Sequence, residues 1–171
     1  MTEFFFTTFF PVLMIIAGAS DVLTLRIPNK LTLFIAVSAF PAAFILGMPI
    51  DALAMHAAAG AAMLVLGFGL FSFGLIGGGD AKLMAAAAIW FGWTGLMTFF
   101  TMTALAGGVL ALALIVWSNV RMHAEVVAAP VLGKFGIVKP PIPYGFAFAI
   151  GAIVAYPESW WMTDSVLRLV E

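Results

Sequence analysis

Leu75-Ile76-Gly77-Gly78-Gly79-Asp80-Ala81-Lys82-Leu83-Met84 sets a carboxylate and an ammonium, two residues apart, between long apolar runs. Three successive glycines before an acid predict a break where backbones approach closely and any dihedral is open. An acid bordered by so much apolar sequence is costly to keep without a partner or a task. Everything outward from this stretch bears on what Asp80 meets.

Composition decides the solvent. Of 171 residues, 64 % are hydrophobic and 9 % charged, whereas a soluble domain carries about a quarter charged residues. The apolar excess falls in runs near the ~17–25 residues that cross a bilayer core. A polytopic helical membrane protein with one bundle is therefore expected, as a single domain over 1–171. The net charge of -1 argues against nucleic acid as a partner, and the lipid bilayer takes its place. The absence of cysteine excludes disulfides, thiolate zinc sites and cysteine nucleophiles. Ala17-Gly18-Ala19 has the form of a signal cleavage site, but Glu3 stands where a basic region belongs. A retained first transmembrane helix is expected.

Six spans are predicted, at 4–20, 31–48, 53–76, 81–91, 96–120 and 142–161. Trp90-Phe91-Gly92-Trp93-Thr94-Gly95 supplies turn glycines and interface tryptophans between the fourth and fifth. With both termini outside, Arg26, Lys30, Lys82, Arg121, Lys134 and Lys139 fall on the cytoplasmic side, six of the seven basic residues. That distribution of Lys and Arg is what the positive-inside rule requires, while Glu3, Asp51, Glu158, Asp164 and Glu171 collect outside. Trp160 and Trp161 are expected in an outer aromatic belt. Small residues such as those at 57–62 and 85–88 let helices pack closely. His56 and His123 fall on opposite sides and share no metal in this topology.

Three polar features then share the cytoplasmic face: the segment from Ser20 to Lys30, the Gly77–Lys82 stretch, and Pro140-Pro141-Ile142-Pro143-Tyr144-Gly145. Each has a plain structural reading. Asp21 can pair with Arg26, Asp80 can cap a helix, and Pro143 can start one. Two acids on one face of an acid-poor bundle favour more. One carboxylate takes a proton from water while the other, protonated, polarises a carbonyl. Asp80, at a helix N-terminus beside Lys82, is expected to ionise more readily; Asp21, near a helix C-terminus, is expected to hold the proton.

Gly77-Gly78-Gly79-Asp80 resembles the Gly-x-Gly-Asp signature of membrane aspartyl proteases. Asp80-Ala81-Lys82-Leu83, with Asp21 and Ile27-Pro28-Asn29-Lys30-Leu31-Thr32, resembles the type IV prepilin peptidases, and Pro143-Tyr144-Gly145 is similar to a Pro-aromatic-Gly element late in that family. The likeness is nearest to its short, CpaA-like or TadV-like form in the Flp/Tad pilus system. It implies cleavage of Flp-like prepilin leaders after a glycine, at the cytoplasmic face of the bacterial inner membrane. It places the catalytic aspartates at Asp21 and Asp80, supported by Gly77, Gly78, Gly79, Lys82, Pro28, Asn29, Pro143, Tyr144 and Gly145. Pilus assembly machinery is a further implied partner. Larger relatives carry paired Cys motifs in a cytoplasmic insertion and methylate the new N-terminus. This chain has no cysteine and only residues 21–30 between its first two spans, so methylation, metal and cofactor are all expected to be absent.

The competing reading is a non-enzymatic membrane scaffold or small channel. There Asp21, Asp80 and Lys82 form a structural ionic lock. A transporter ranks lower, because spans two, three and five offer almost no charged side chain for a polar path.

Overall fold

A computed structural model describes the backbone of residues 2–128 and 143–163, and the side chains of 8–117 and 143–163. The 129–142 stretch, most of the connection carrying Lys134 and Lys139, lies outside the described residues, as does the tail from Asp164. The helices are α1 (Thr2–Thr24), α2 (Asn29–Ile45), α3 (Ile50–Ser72), α4 (Gly78–Ala128) and α5 (Tyr144–Ala155). A 3-10 turn at Tyr156–Glu158 and one helical turn at 160–163 follow. No strand occurs among the described residues.

Among the residues with described side chains, Ile50–Ser72 and Gly78–Trp117 are long and apolar enough to cross a bilayer, the described part of α1 is apolar, and α2 is a shorter apolar helix. The exterior suits lipid: Phe44, Val65, Phe73 and Val109 are all more than two-thirds exposed. In water such a surface drives aggregation, and in hydrocarbon it is neutral. This is a helical membrane protein.

The expected turn at Trp90–Gly95 is a one-residue event. Gly92 alone leaves helical geometry, at φ 60 and ψ -171, a conformation that glycine adopts without steric cost. An unbroken α4 of 51 residues would run about 75 Å, far beyond a bilayer core. The break folds it back on itself, so Phe91 stacks on Phe99 at 4.8 Å, and Met84 lines one groove with Thr103 and Ala104.

The last carbonyls before the break have lost their helical partners, and two side chains take them. His56 Nδ1 lies 2.8 Å from the Ile89 carbonyl, so the proton sits on Nδ1. The Trp161 indole N–H donates to the Trp90 carbonyl. Trp90 in turn donates its indole N–H to the Ile35 carbonyl of α2 at 2.8 Å. Phe10 stacks on Trp90 at 4.8 Å, and Tyr156 packs against Phe10 at 5.3 Å. This aromatic cluster corrects the interfacial assignments: Trp90 and Trp161 are fully buried pins of the core, and of the expected interface tryptophans Trp93 is exposed.

Small residues set the helix spacing. A Cβ on Gly18 would stand 2.8 Å from Ala149 Cβ, and one on Gly151 would meet the Thr103 backbone N at 2.7 Å. Helix α5 thereby wedges between α1 and the second arm of α4, and carries the Pro143–Gly145 element toward the end of α1.

A Cβ on Gly92 would lie 2.6 Å from His56 Nε2. Gly92→Ala is therefore expected to cost about 1–3 kcal/mol of stability from the backbone alone, with displacement of His56 added. Gly108→Ala, where a Cβ meets open space, is expected to cause no loss. Thermal unfolding in detergent compares the two.

Candidate active site

The polar end of the bundle lies opposite the aromatic cluster. Asp21 follows Phe10 by about 16 Å of helix, and Asp80 precedes Trp90 by about 15 Å. Helix α1 closes with Leu25 at φ 53, a left-handed position where a leucine is strained by about 1–2 kcal/mol. The Leu25 N–H donates to the Asp21 carbonyl at 2.8 Å. The Ser20 and Thr24 hydroxyls converge on the Arg26 carbonyl, at 3.0 and 3.1 Å. This tight corner turns Ile27 inward and delivers Pro28 to the start of α2, with extended backbone at φ -61 and ψ 130.

Helix α3 ends at Gly74, φ 70, where the Gly74 and Leu75 N–H groups take the Phe71 and Leu70 carbonyls in a Schellman arrangement. Helix α4 then begins at Gly78, so Gly78 and Gly79 are helical, and none of the three consecutive glycines has positive φ. The expectation of free dihedrals is corrected. What the run provides is room: a Cβ on Gly79 would sit 3.3 Å from Ile27 Cβ, and one on Gly78 would sit 3.4 Å from the Phe71 ring. The Asp80 carboxylate reaches back to the Gly77 N–H, the half of a capping box contributed by an acid at the third helical position.

Asp21 is buried, and its Oδ2 accepts the Gly145 N–H at 2.7 Å. Pro143 stands just before α5 and Tyr144 opens it, so Gly145 lies in the first turn. A Cβ on Gly145 would stand 2.8 Å from Asp21 Cβ and 2.9 Å from Ile27 Cδ1. Ile27 thus fills the space between the two glycine elements. Sequence reasoning gave it no role, although an apolar residue between Arg26 and Pro28 in a polar connection was a signal.

Asp21 and Asp80 line one cavity of about 620 Å³, together with Ile27, Pro28, Asn29 and the three glycines. They interact electrostatically across it. Lys82, Pro143, Tyr144 and Gly145 stand behind or beside this wall. Lys82 is exposed, and its Nζ donates to Asn29 Oδ1 at 2.9 Å. The lock in which Lys82 neutralises the aspartates is not formed; a neutral amide holds the ammonium instead. The Asp21–Arg26 pairing is likewise replaced by the bond to Gly145.

The expected asymmetry between the acids also changes. It treated the C-terminus of α1 as the field acting on Asp21, but the first turn of α5 points a backbone N–H at that carboxylate. Each acid therefore faces the positive end of a helix dipole. Among the described residues, no group of three His, Cys, Asp or Glu side chains is placed to hold a metal ion.

In this lipid-compatible helical bundle two acids from distant segments, Asp21 and Asp80, border one cavity. The chain belongs to the type IV leader peptidase family, whose model matches residues 8–112. Neither a curated protein nor a solved structure matches it. The protein is thereby a peptidase, and the family's substrates are prepilins. The match includes both aspartates and stops before the Pro143–Gly145 element, which the fold brings to Asp21.

Gly145→Ala is expected to cost about 1–3 kcal/mol by breaking the bond to a buried carboxylate. Lys82→Met is expected to change stability by no more than about 1 kcal/mol, because the pair is exposed. Thermal unfolding reads both, and a large loss at Lys82 would revive the lock.

Proposed function

We propose that the protein is an aspartyl endopeptidase that removes the leader of Flp-like prepilins after a glycine, at the cytoplasmic face of the inner membrane. One observation carries the reading: Asp21 of α1 and Asp80 of α4 border the same cavity, with Asp21 oriented by the Gly145 N–H. The resemblance of these segments to the short prepilin peptidases of the Flp/Tad system supports the substrate and the orientation.

The chemistry needs one ionised and one protonated carboxyl group. The ionised member takes a proton from water as the water oxygen bonds to the scissile carbonyl carbon. The protonated member hydrogen-bonds the carbonyl oxygen and neutralises the charge that develops there. Collapse of the tetrahedral intermediate breaks the C–N bond. The leaving nitrogen receives a proton from the pair, so the products are a free carboxyl and a free amine. Because the two groups interact, their protonation belongs to the pair. Pro28 and Asn29 wall the cavity, and the glycines let Ile27, Phe71 and the Asp80 carboxylate pack closely along its α4 side. The single domain spans the membrane six times with both termini outside, which puts this cavity and its basic flanks in the cytoplasm. With no cysteine to build the larger relatives' insertion, the new N-terminus stays unmethylated.

Asp21→Asn and Asp80→Asn are each expected to lower cleavage of a Flp-like precursor by about 10²–10⁴-fold, with the unfolding midpoint kept. Mass spectrometry of the purified reaction reads the cut and the unmodified amine. Retained cleavage in either variant contradicts the proposal, and loss of folding in both favours a structural role.

A further inference from the structure

We infer that the groove between α2 and α3, floored by α4, receives the first two turns of the substrate's apolar segment, and that Asn29 marks its passage from the cleavage cavity. The inference rests on the peptidase reading above and names where the rest of the substrate lies.

The groove has a volume of about 430 Å³ and shares Asn29 with the carboxylate cavity. Two other cavities, one among α3, α4 and α5 and one between α4 and α5, share no wall residue with it. A chain held at Asp21 and Asp80 therefore continues directly past Asn29 into this groove. Its walls suit an apolar helix: Ala36 from α2, Ala61 from α3, and Ala85 and Ala86 from α4. In a bilayer an apolar helix gains nothing by leaving lipid, so association depends on close fit, and small side chains permit it. From Lys82 to Ile89, both of which line the groove, α4 makes two turns, about 10 Å.

The polar end supplies a stop. Lys82 Nζ and the Asn29 amide join where cavity and groove meet, at 2.9 Å. An ammonium held at the rim stays hydrated and resists an apolar side chain passing it. The start of the apolar segment thus comes to rest at Asn29 and Lys82, and the polar leader lies on the carboxylate side. Register at the cut follows from where hydrophobicity begins.

Two alanine-to-tryptophan variants on α3 test this. Ala61 is exposed and lines the groove; Ala58 is exposed and lines no described cavity. Ala61→Trp is expected to raise the KM for a full-length Flp-like precursor by about tenfold or more, and Ala58→Trp to leave it unchanged. A photoreactive residue at 61 in otherwise wild-type protein is expected to cross-link to the first two turns of the precursor's apolar segment, and one at 58 to lipid. Unchanged KM in Ala61→Trp, an equal rise in both variants, or cross-links from 61 to phospholipid alone would overturn the groove. Failure of the wild-type protein to cut the precursor would sink the peptidase reading instead, and cross-linking from 61 is read independently of cutting.

Discussion

A backbone N–H in the first turn of α5 donates to a buried carboxylate at the end of α1, across 124 residues of sequence, and the site depends on it. Without that donor Asp21 would be a buried acid lacking a partner, a state costing several kcal/mol. The bond forms only because residue 145 has no Cβ; a methyl group there would overlap Asp21 and Ile27. Ile27 extends the constraint to α4, where Gly79 leaves room for its Cβ. Three segments far apart in the chain thus meet at van der Waals distance, and the two acids face one cavity as a consequence.

The opposite end of the bundle makes this meeting possible. The first arm of α4 carries Asp80, and its height is fixed by what happens at Gly92. The break frees the Ile89 and Trp90 carbonyls, which His56 and Trp161 take, so α3 and the chain beyond α5 are bound to the tip of that arm. Trp90 ties α2 to the same point through the Ile35 carbonyl. The arm is therefore pinned at its far end by aromatic packing and indole hydrogen bonds. Its near end is left to meet Ile27 and the cavity.

Much of this was legible in the sequence, because acids are rare against an apolar background and a run of three glycines beside one of them stands out. Asp21, Asp80 and Pro143-Tyr144-Gly145 stand out for that reason, and the fold gathers all three segments. The Trp90–Gly95 stretch signalled a reversal, though its mechanics needed only Gly92. What escaped reading depends on neighbours distant in sequence. Trp90 and Trp161 have interfacial chemistry, yet each finds a buried carbonyl for its indole N–H, Trp161 at the break and Trp90 at Ile35 of α2. Lys82, beside an acid in sequence, finds Asn29 on another helix. The field on Asp21 could not be inferred from α1, since the first turn of α5 also points a backbone N–H at it. Ile27 was hidden by its ordinariness: a lone apolar residue reports its importance only when two glycines are found against it.

The central claim is that Asp21 and Asp80 face each other at one end of the bundle. Because the chain has no cysteine, paired cysteine variants test it without background. Asp21→Cys combined with Asp80→Cys is predicted to be joined within one molecule by a short bismaleimide, while Asp21→Cys combined with Asp51→Cys, at the far end of α3, stays unjoined. If each thiol at 21 and 80 reacts singly but the pair does not join, or if 21 joins to 51, the account is wrong.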